Sequence, residues 1–218
     1  MPAITAGEQE LLKEKRVLVA GCGGLGGFLV EYLVRFGVGG ITVADGDVFD
    51  ESNLNRQLLS GTDTLGRPKA VVACERAART DPAVKVIPVT EFVTEQNVRG
   101  LVQGMDIVLD ALDSISARLM LEDVCAELGV TLVHGAVGGW MAQACVVPPG
   151  SGILHSLYGD VEQNSSNAAK SCLVTTAALC ASLQAAEALK LLTGREPALA
   201  GRLLMADTLS MQTTVVEL

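Results

Sequence analysis

Aromatic residues make up only 3% of this 218-residue chain, so its core has to be filled by Ala, Val and Leu. A core of that kind suits parallel strands covered by helices on both faces. The six cysteines, Cys22, Cys74, Cys125, Cys145, Cys172 and Cys180, form no Cys-x-x-Cys pair, and neither of the two histidines stands at metal-ligand spacing. Neither a disulfide framework nor a zinc site is indicated, no zinc is expected, and free thiols point to a reducing, cytoplasmic setting. Basic residues are too few to balance the acids, 16 against 25, which argues against nonspecific binding to a nucleic-acid backbone. The N-terminus, with Glu8, Glu10 and Glu14, lacks the basic-then-apolar pattern of a signal peptide. The longest apolar stretch, Cys172 to Leu192, is interrupted by Gln184, Glu187 and Lys190, so it reads as a buried helix and no membrane association is expected.

What the sequence does contain is a glycine loop, Gly21-Cys22-Gly23-Gly24-Leu25-Gly26, set between an apolar run, Val17 to Ala20, and a helix-like segment. Glycine at these positions allows a tight turn, close approach of a ligand to the backbone, and packing of the following helix on its strand. Free N–H groups at the start of that helix favour an anion. Asp45 follows a second apolar run, Ile41 to Ala44, where an acid would meet a ribose hydroxyl. A nucleotide ligand is the first expectation. The loop alone leaves the chemistry open, because hydride transfer, methyl transfer and adenylation all use it.

Short Val/Ile/Leu-rich runs predict strands over 16–20, 41–44, 84–88, 106–110 and 130–134. Helices are predicted over 7–15, 25–36, 68–80, 95–103 and 115–128. This alternation implies an α/β fold: a Rossmann-like, doubly wound, mostly parallel sheet with its ligand beyond the carboxyl ends of the strands. The rhythm then changes. Runs at 142–147, 203–206 and 213–217 predict antiparallel strands that extend the sheet at its C-terminal side, and the polar stretch Gly159 to Lys170 predicts a loop crossing the mouth of the site. The length suits one domain spanning residues 1–218.

A second group of residues narrows the nucleotide. The string Ser52-Asn53-Leu54-Asn55-Arg56-Gln57 and the pair Pro68-Lys69 have no counterpart in what a redox cofactor requires. Arg56 offers a planar fork of donors and Lys69 a compact cation, the pair needed to grip a polyphosphate; Asn53 and Gln57 supply amides for a phosphate or a carbonyl. Asp113, just past the apolar run Ile107 to Leu109, is placed to hold Mg²⁺ through oxygen. Taken singly, Asp113 or Ser114 could cap the next helix, and Arg56 and Lys69 could be solvated charges.

In this order, the Gly-x-Gly-Gly-Leu-Gly loop, the Ser-Asn-Leu-x-Arg-Gln string, Pro-Lys and Leu-Asp-x-x-Asp resemble the ThiF/MoeB/HesA family, relatives of the ubiquitin-activating enzymes. The likeness continues through His134-Gly135-Ala136-Val137 and Ser182-Leu183-Gln184-Ala185 to the closing strands. It implies adenylylation of the C-terminal glycine of a small ubiquitin-like sulfur-carrier protein ending in Gly-Gly, with ATP and Mg²⁺, for thiamine, molybdopterin or related sulfur transfer. It also implies a homodimer. By the same resemblance Gly21, Gly23, Gly24 and Gly26 form the phosphate loop, Asp45 takes the ribose, Asn53, Arg56 and Lys69 face the triphosphate, and Asp113 holds magnesium. The sequence departs from the family in three ways: no Arg-Gln pair precedes Arg16, the zinc-binding Cys-x-x-Cys pairs are absent, and Ser114 stands where Asn is usual. Some relatives use a cysteine near the polar loop to take the activated carboxyl group or sulfur. Cys172, at the start of a helix where a thiolate is favoured, is the candidate here, whereas Cys180 reads as a core residue. His134 and His155 are expected to be structural. The other readings are a nucleotide-binding scaffold without catalysis, an NAD-dependent oxidoreductase, or an enzyme activating a small molecule or a tRNA base.

Overall fold

The computed structural model describes residues 4–159 and 172–218. One eight-stranded sheet runs through them in the order β3-β2-β1-β4-β5-β6-β7-β8. Its strands are β1 (Arg16–Ala20), β2 (Gly40–Ala44), β3 (Lys85–Val89), β4 (Ile107–Asp110), β5 (Thr131–Gly138), β6 (Met141–Val147), β7 (Arg202–Asp207) and β8 (Gln212–Glu217). The first five are parallel, and β5 to β8 pair antiparallel. β1 lies between β2 and β4, so the chain reverses its direction of winding there, which opens a crevice at the carboxyl ends of these strands.

The sheet divides two apolar layers, and β1 shows how. Val17 and Val19 join the layer containing α2 (Gly26–Phe36), α3 (Lys69–Thr80) and the long helix α7 (Val174–Leu192). Leu18 and Ala20 join the other, with α4 (Val98–Val102), α5 (Ile115–Leu128) and α6 (Ile153–Tyr158). Alternation with period two, all positions apolar, is what a doubly covered parallel strand requires. Helix ends follow local chemistry. Thr5 and Glu8 form a reciprocal capping box for α1 (Ala6–Glu14). Ser114 caps α5 by accepting from the Ala117 N–H, and Gly129 closes it in the left-handed region.

α4 is shorter than the predicted 95–103, because the Asn97 side chain accepts from the Thr94 N–H and holds that segment as a turn. α6 has no predicted counterpart, and it carries His155. Its first N–H groups are satisfied at a distance: the buried carboxylate of Glu122 on α5 accepts from Leu154 and His155, both at 3.0 Å. The predicted loop over the site, Gly159 to Lys170, lies outside the described residues except for Gly159, the C-cap of α6. Among those described, no helix is long and apolar enough to cross a membrane.

Candidate active site

The glycine loop follows β1 at the reversal of winding. Gly21 adopts φ +94, and a Cβ there would stand 2.5 Å from the Ala111 carbonyl oxygen; one on Gly26 would stand 2.0 Å from the Gly21 oxygen. These two glycines are demanded by the protein's own packing, and Gly26 does not line the cavity beside the loop. Gly23 and Gly24 differ. Added Cβ atoms would meet nothing closer than 3.5 and 3.9 Å, yet both residues border the cavity, so their bare backbone suits a ligand rather than the fold. No side chain caps the first turn of α2, so apart from the Gly27 N–H, which bonds the Gly23 carbonyl at 3.3 Å, that turn can offer N–H groups to an anion.

Asp45 closes the loop from the side of β2. One carboxylate oxygen accepts from the Cys22 N–H at 2.6 Å and the other from the Asp47 N–H at 2.8 Å. Burial raises the pKa of this acid, and the two backbone bonds oppose the rise. Lys69, first residue of α3, is buried at 6% exposure, and its ammonium donates to Asp47 at 3.0 Å. Arg56 donates through Nη1 to the Ser52 carbonyl and the Asn55 side chain. Asn53 is buried in a 3₁₀ turn, where its Oδ1 accepts from the Asp50 N–H. The Gln57 amide is buried with one end unpartnered among the described residues; a buried polar atom left so costs about 1–3 kcal/mol until something binds it.

A cavity of about 330 Å³ unites Gly21, Gly23, Gly24, Asp45, Asn53, Arg56, Gln57, Lys69, Asp113 and Cys172. The sequence-predicted site residues, Gly26 apart, therefore converge. The capping alternatives divide cleanly: Ser114 is the N-cap of α5, and Asp113 is exposed to the cavity. Cys172 needs a correction in its chemistry. It lies ahead of α7, buried at 3% exposure, and its thiol donates to the Leu173 carbonyl. Burial raises its pKa more than nearby Arg56 lowers it, so the thiol is favoured over the thiolate. Cys180 is a core residue, wholly buried on the inner face of α7.

Several residues of the site escape sequence reasoning. Asp47 pairs with Lys69, and its only sequence signal is the Asp45-Gly46-Asp47 repetition. Phe92, 61% exposed at the cavity, covers Gly46. Arg118 lines this cavity and also a second one of about 230 Å³ beside it. Buried Asp110 and His134 continue, by hydrogen bonds, to Tyr158, which lines the second cavity. Both histidines do have partners: His134 holds Asp110 and Tyr158, and His155 bonds Asp123 at 2.8 Å. Asp110 pairs in register with His134 on β5, a juxtaposition that appears only once the strands are aligned. Among the described residues no three His, Cys, Asp or Glu side chains cluster as metal ligands.

An uncapped glycine loop, an acid just past β2 and two cations facing one crevice at the reversal of a doubly wound sheet define a nucleotide-binding α/β protein of the Rossmann-like class. Within that class the chain belongs to the ThiF family, whose model matches residues 1–218. It is 37% identical over 206 residues to the SAMP-activating enzyme E1 of Haloferax volcanii, covering 93% of this chain and 76% of that one. It is 36% identical to the sulfur carrier protein adenylyltransferase of Thermus thermophilus, covering 96% and 80%. To the molybdopterin-synthase adenylyltransferase of Escherichia coli it is 33% identical, covering 94% and 83%. Solved structures share the fold at lower identity. PaaA superposes with a TM-score of 0.83 at 20% identity, covering 97% of this chain and 75% of that one. E. coli MccB with ATP superposes at 0.81 and 18%, covering 96% and 66%.

Proposed function

We propose that this protein is an ATP-dependent adenylyltransferase that activates the C-terminal glycine of a small ubiquitin-like sulfur-carrier protein. The observation that carries the reading is the convergence of a bare, uncapped glycine loop with Arg56 and Lys69 on one cavity, in a chain whose relatives are named as adenylyltransferases of such carriers. Asp45 orients the nucleoside end, and Asn53, Gln57, Arg56 and Lys69 hold the phosphates. The acceptor's carboxylate is already an anion at neutral pH, so no general base is needed; a new bond forms from its oxygen to the α-phosphorus while the bond to pyrophosphate breaks. Charge builds on the phosphate oxygens and the leaving pyrophosphate, and Arg56 and Lys69 face it from fixed positions.

The exposed carboxylate of Asp113, at the cavity among other oxygen donors, fits a hard cation bound through one protein carboxylate and the phosphates. Mg²⁺ held there would supply further neutralisation of the phosphate charge. We further propose a carrier ending in Gly-Gly, a homodimeric assembly, a cytoplasmic setting, and sulfur transfer for thiamine, molybdopterin or a related cofactor as the purpose. Exchange of labelled pyrophosphate into ATP, measured with and without a carrier ending in Gly-Gly, tests the activity. Carrier-dependent exchange that collapses in Arg56→Ala supports it. ATP binding with background exchange for every carrier would make the protein a nucleotide-binding scaffold.

A further inference from the structure

The hydrogen-bonded chain from Asp110 to the lining of the second cavity has a single direction. Asp110, at the end of β4, and His134, beside it on β5, are both wholly buried. The Asp110 carboxylate can only accept, so His134 Nδ1–H donates to it at 2.6 Å. His134 Nε2 is then the acceptor for the Tyr158 O–H at 2.9 Å, and Tyr158 Oη in turn accepts from the Gln143 side-chain amide. Burial lowers the pKa of His134, consistent with the neutral imidazole this pattern needs. Four side chains from β4, β5, β6 and α6 are thereby locked to one another, and none of them touches the nucleotide loop.

What the chain supports is Arg118. Its guanidinium lies 5.9 Å from the centre of the Tyr158 ring, a cation–π distance. Its Nε and Nη2 donate to the Leu112 carbonyl at 3.2 and 2.6 Å, and Nε stands 3.5 Å from Asp110 Oδ2. These contacts involve two of the five N–H donors of the group. Arg118 and Val137 are the two residues that line both cavities. Beside Arg118, Gln143 and Tyr158 the second cavity is walled by Ile115, Ala136, Val137, Gly138, Met141 and Ala142: a mostly apolar slot with small residues along it and a cation in its lining. That shape and charge suit a chain terminus of small residues with a free carboxylate.

We infer that Arg118, which lines both the slot and the nucleotide cavity, receives the carboxylate of the acceptor, and that His134, acting through Tyr158 and Asp110, is the positioning residue that holds the guanidinium. The inference rests on the adenylyltransferase reading and adds to it the group that screens one anion from the other before they meet. Lysine cannot replace the arginine fork at such a site.

The test uses the full chain in two assays beside an ATP titration. In the first, a fluorescein-labelled hexapeptide ending in Gly-Gly is titrated as free acid and as amide. The free acid is expected to bind the wild type at least fivefold more tightly than the amide, and Arg118→Lys to erase that preference. In the second, carrier-dependent exchange is measured for Tyr158→Phe, which keeps the ring and removes the hydroxyl, and for His134→Gln. Both are expected to raise the carrier KM about five- to tenfold with ATP affinity held within twofold, a split that a general loss of structure would not give. Equal binding of acid and amide to the wild type, an acid preference kept by Arg118→Lys, or unchanged carrier KM in Tyr158→Phe and His134→Gln, would overturn the inference while leaving the adenylyltransferase reading intact. Absent exchange in a wild type that still prefers the free acid would instead sink that reading and leave Arg118 as a carboxylate site.

Discussion

The Asp45 carboxylate accepts a hydrogen bond of 2.6 Å from the backbone N–H of Cys22, tying the end of β2 to the loop that follows β1. An acid in this position of a nucleotide fold is ordinarily read as a ribose ligand; here it is also the clamp of the phosphate loop. Asp45→Ala removes the acceptor for two backbone N–H groups, a loss of about 1–3 kcal/mol. The expected drop in melting temperature is about 2–4 °C for each kcal/mol in a domain of this size. Weaker ATP binding should accompany it. An unchanged melt in thermal denaturation would show that the clamp does not hold the loop.

The four loop glycines separate into two pairs. Gly26→Ala puts a methyl group 2.0 Å from the Gly21 oxygen and should cost at least the about 1–3 kcal/mol of an overpacked site, visible as a lower melting temperature or loss of soluble protein. Gly24→Ala has room, with 3.9 Å to Ala177; it should melt like the wild type and bind ATP at least tenfold more weakly. If both variants behave alike in the melt, the assignment of Gly24 to the ligand is wrong.

Arg56→Ala and Lys69→Ala should each lower the exchange rate about 10²- to 10³-fold, the effect of removing one preorganised donor from developing charge. Stability should move little for Arg56. Among the described residues its side chain bonds Ser52 and Asn55, and such surface contacts contribute about 0–1 kcal/mol. Steady-state exchange and thermal melts on the same preparations check both statements.

Acid should destabilise the protein through His134. Burial holds its native pKa below the ordinary 6.5, so below pH 6.5 the unfolded chain binds the proton that the native state refuses. Stability is then complete above pH 6.5 and falls as the pH drops towards the native value. Urea midpoints between pH 7.5 and 5 should trace this decline, and His134→Gln should flatten it.

Cys172 should alkylate slowly at neutral pH. Its thiol is buried and its pKa raised, so iodoacetamide labelling should accelerate as the pH climbs beyond the ordinary cysteine range. Bound ATP should slow it further, since the residue borders the nucleotide cavity. Rapid labelling at pH 7, unaffected by ATP, would contradict the position described.

The strands and most of the nucleotide cavity were legible in the chain because their signals are local. Val17 to Ala20 announces a doubly covered strand, Gly21 to Gly26 a turn into a helix, and Lys69 follows a proline that opens α3. The rest depends on alignment in space. Asp110 and His134 are 24 residues apart and meet only through the register of β4 on β5. α6 has no cap of its own and is fixed by Glu122 from α5. Cys172 misled for a related reason: its place before a helix suggested a thiolate, but desolvation, which depends on what packs around it, dominates.

The loop's fastenings also fix its dynamics. The Gly21 N–H is bonded to Ala44 at 2.8 Å, the Cys22 N–H to Asp45, and the Gly21 α-carbon abuts Ala111 beyond β4. Three neighbouring strands must part before these amides can exchange with solvent, so their hydrogen–deuterium exchange should follow global unfolding rather than local fraying. A nucleotide arriving at the site therefore meets a surface whose conformational freedom was given up during folding, and little ordering remains to be done at the moment of binding.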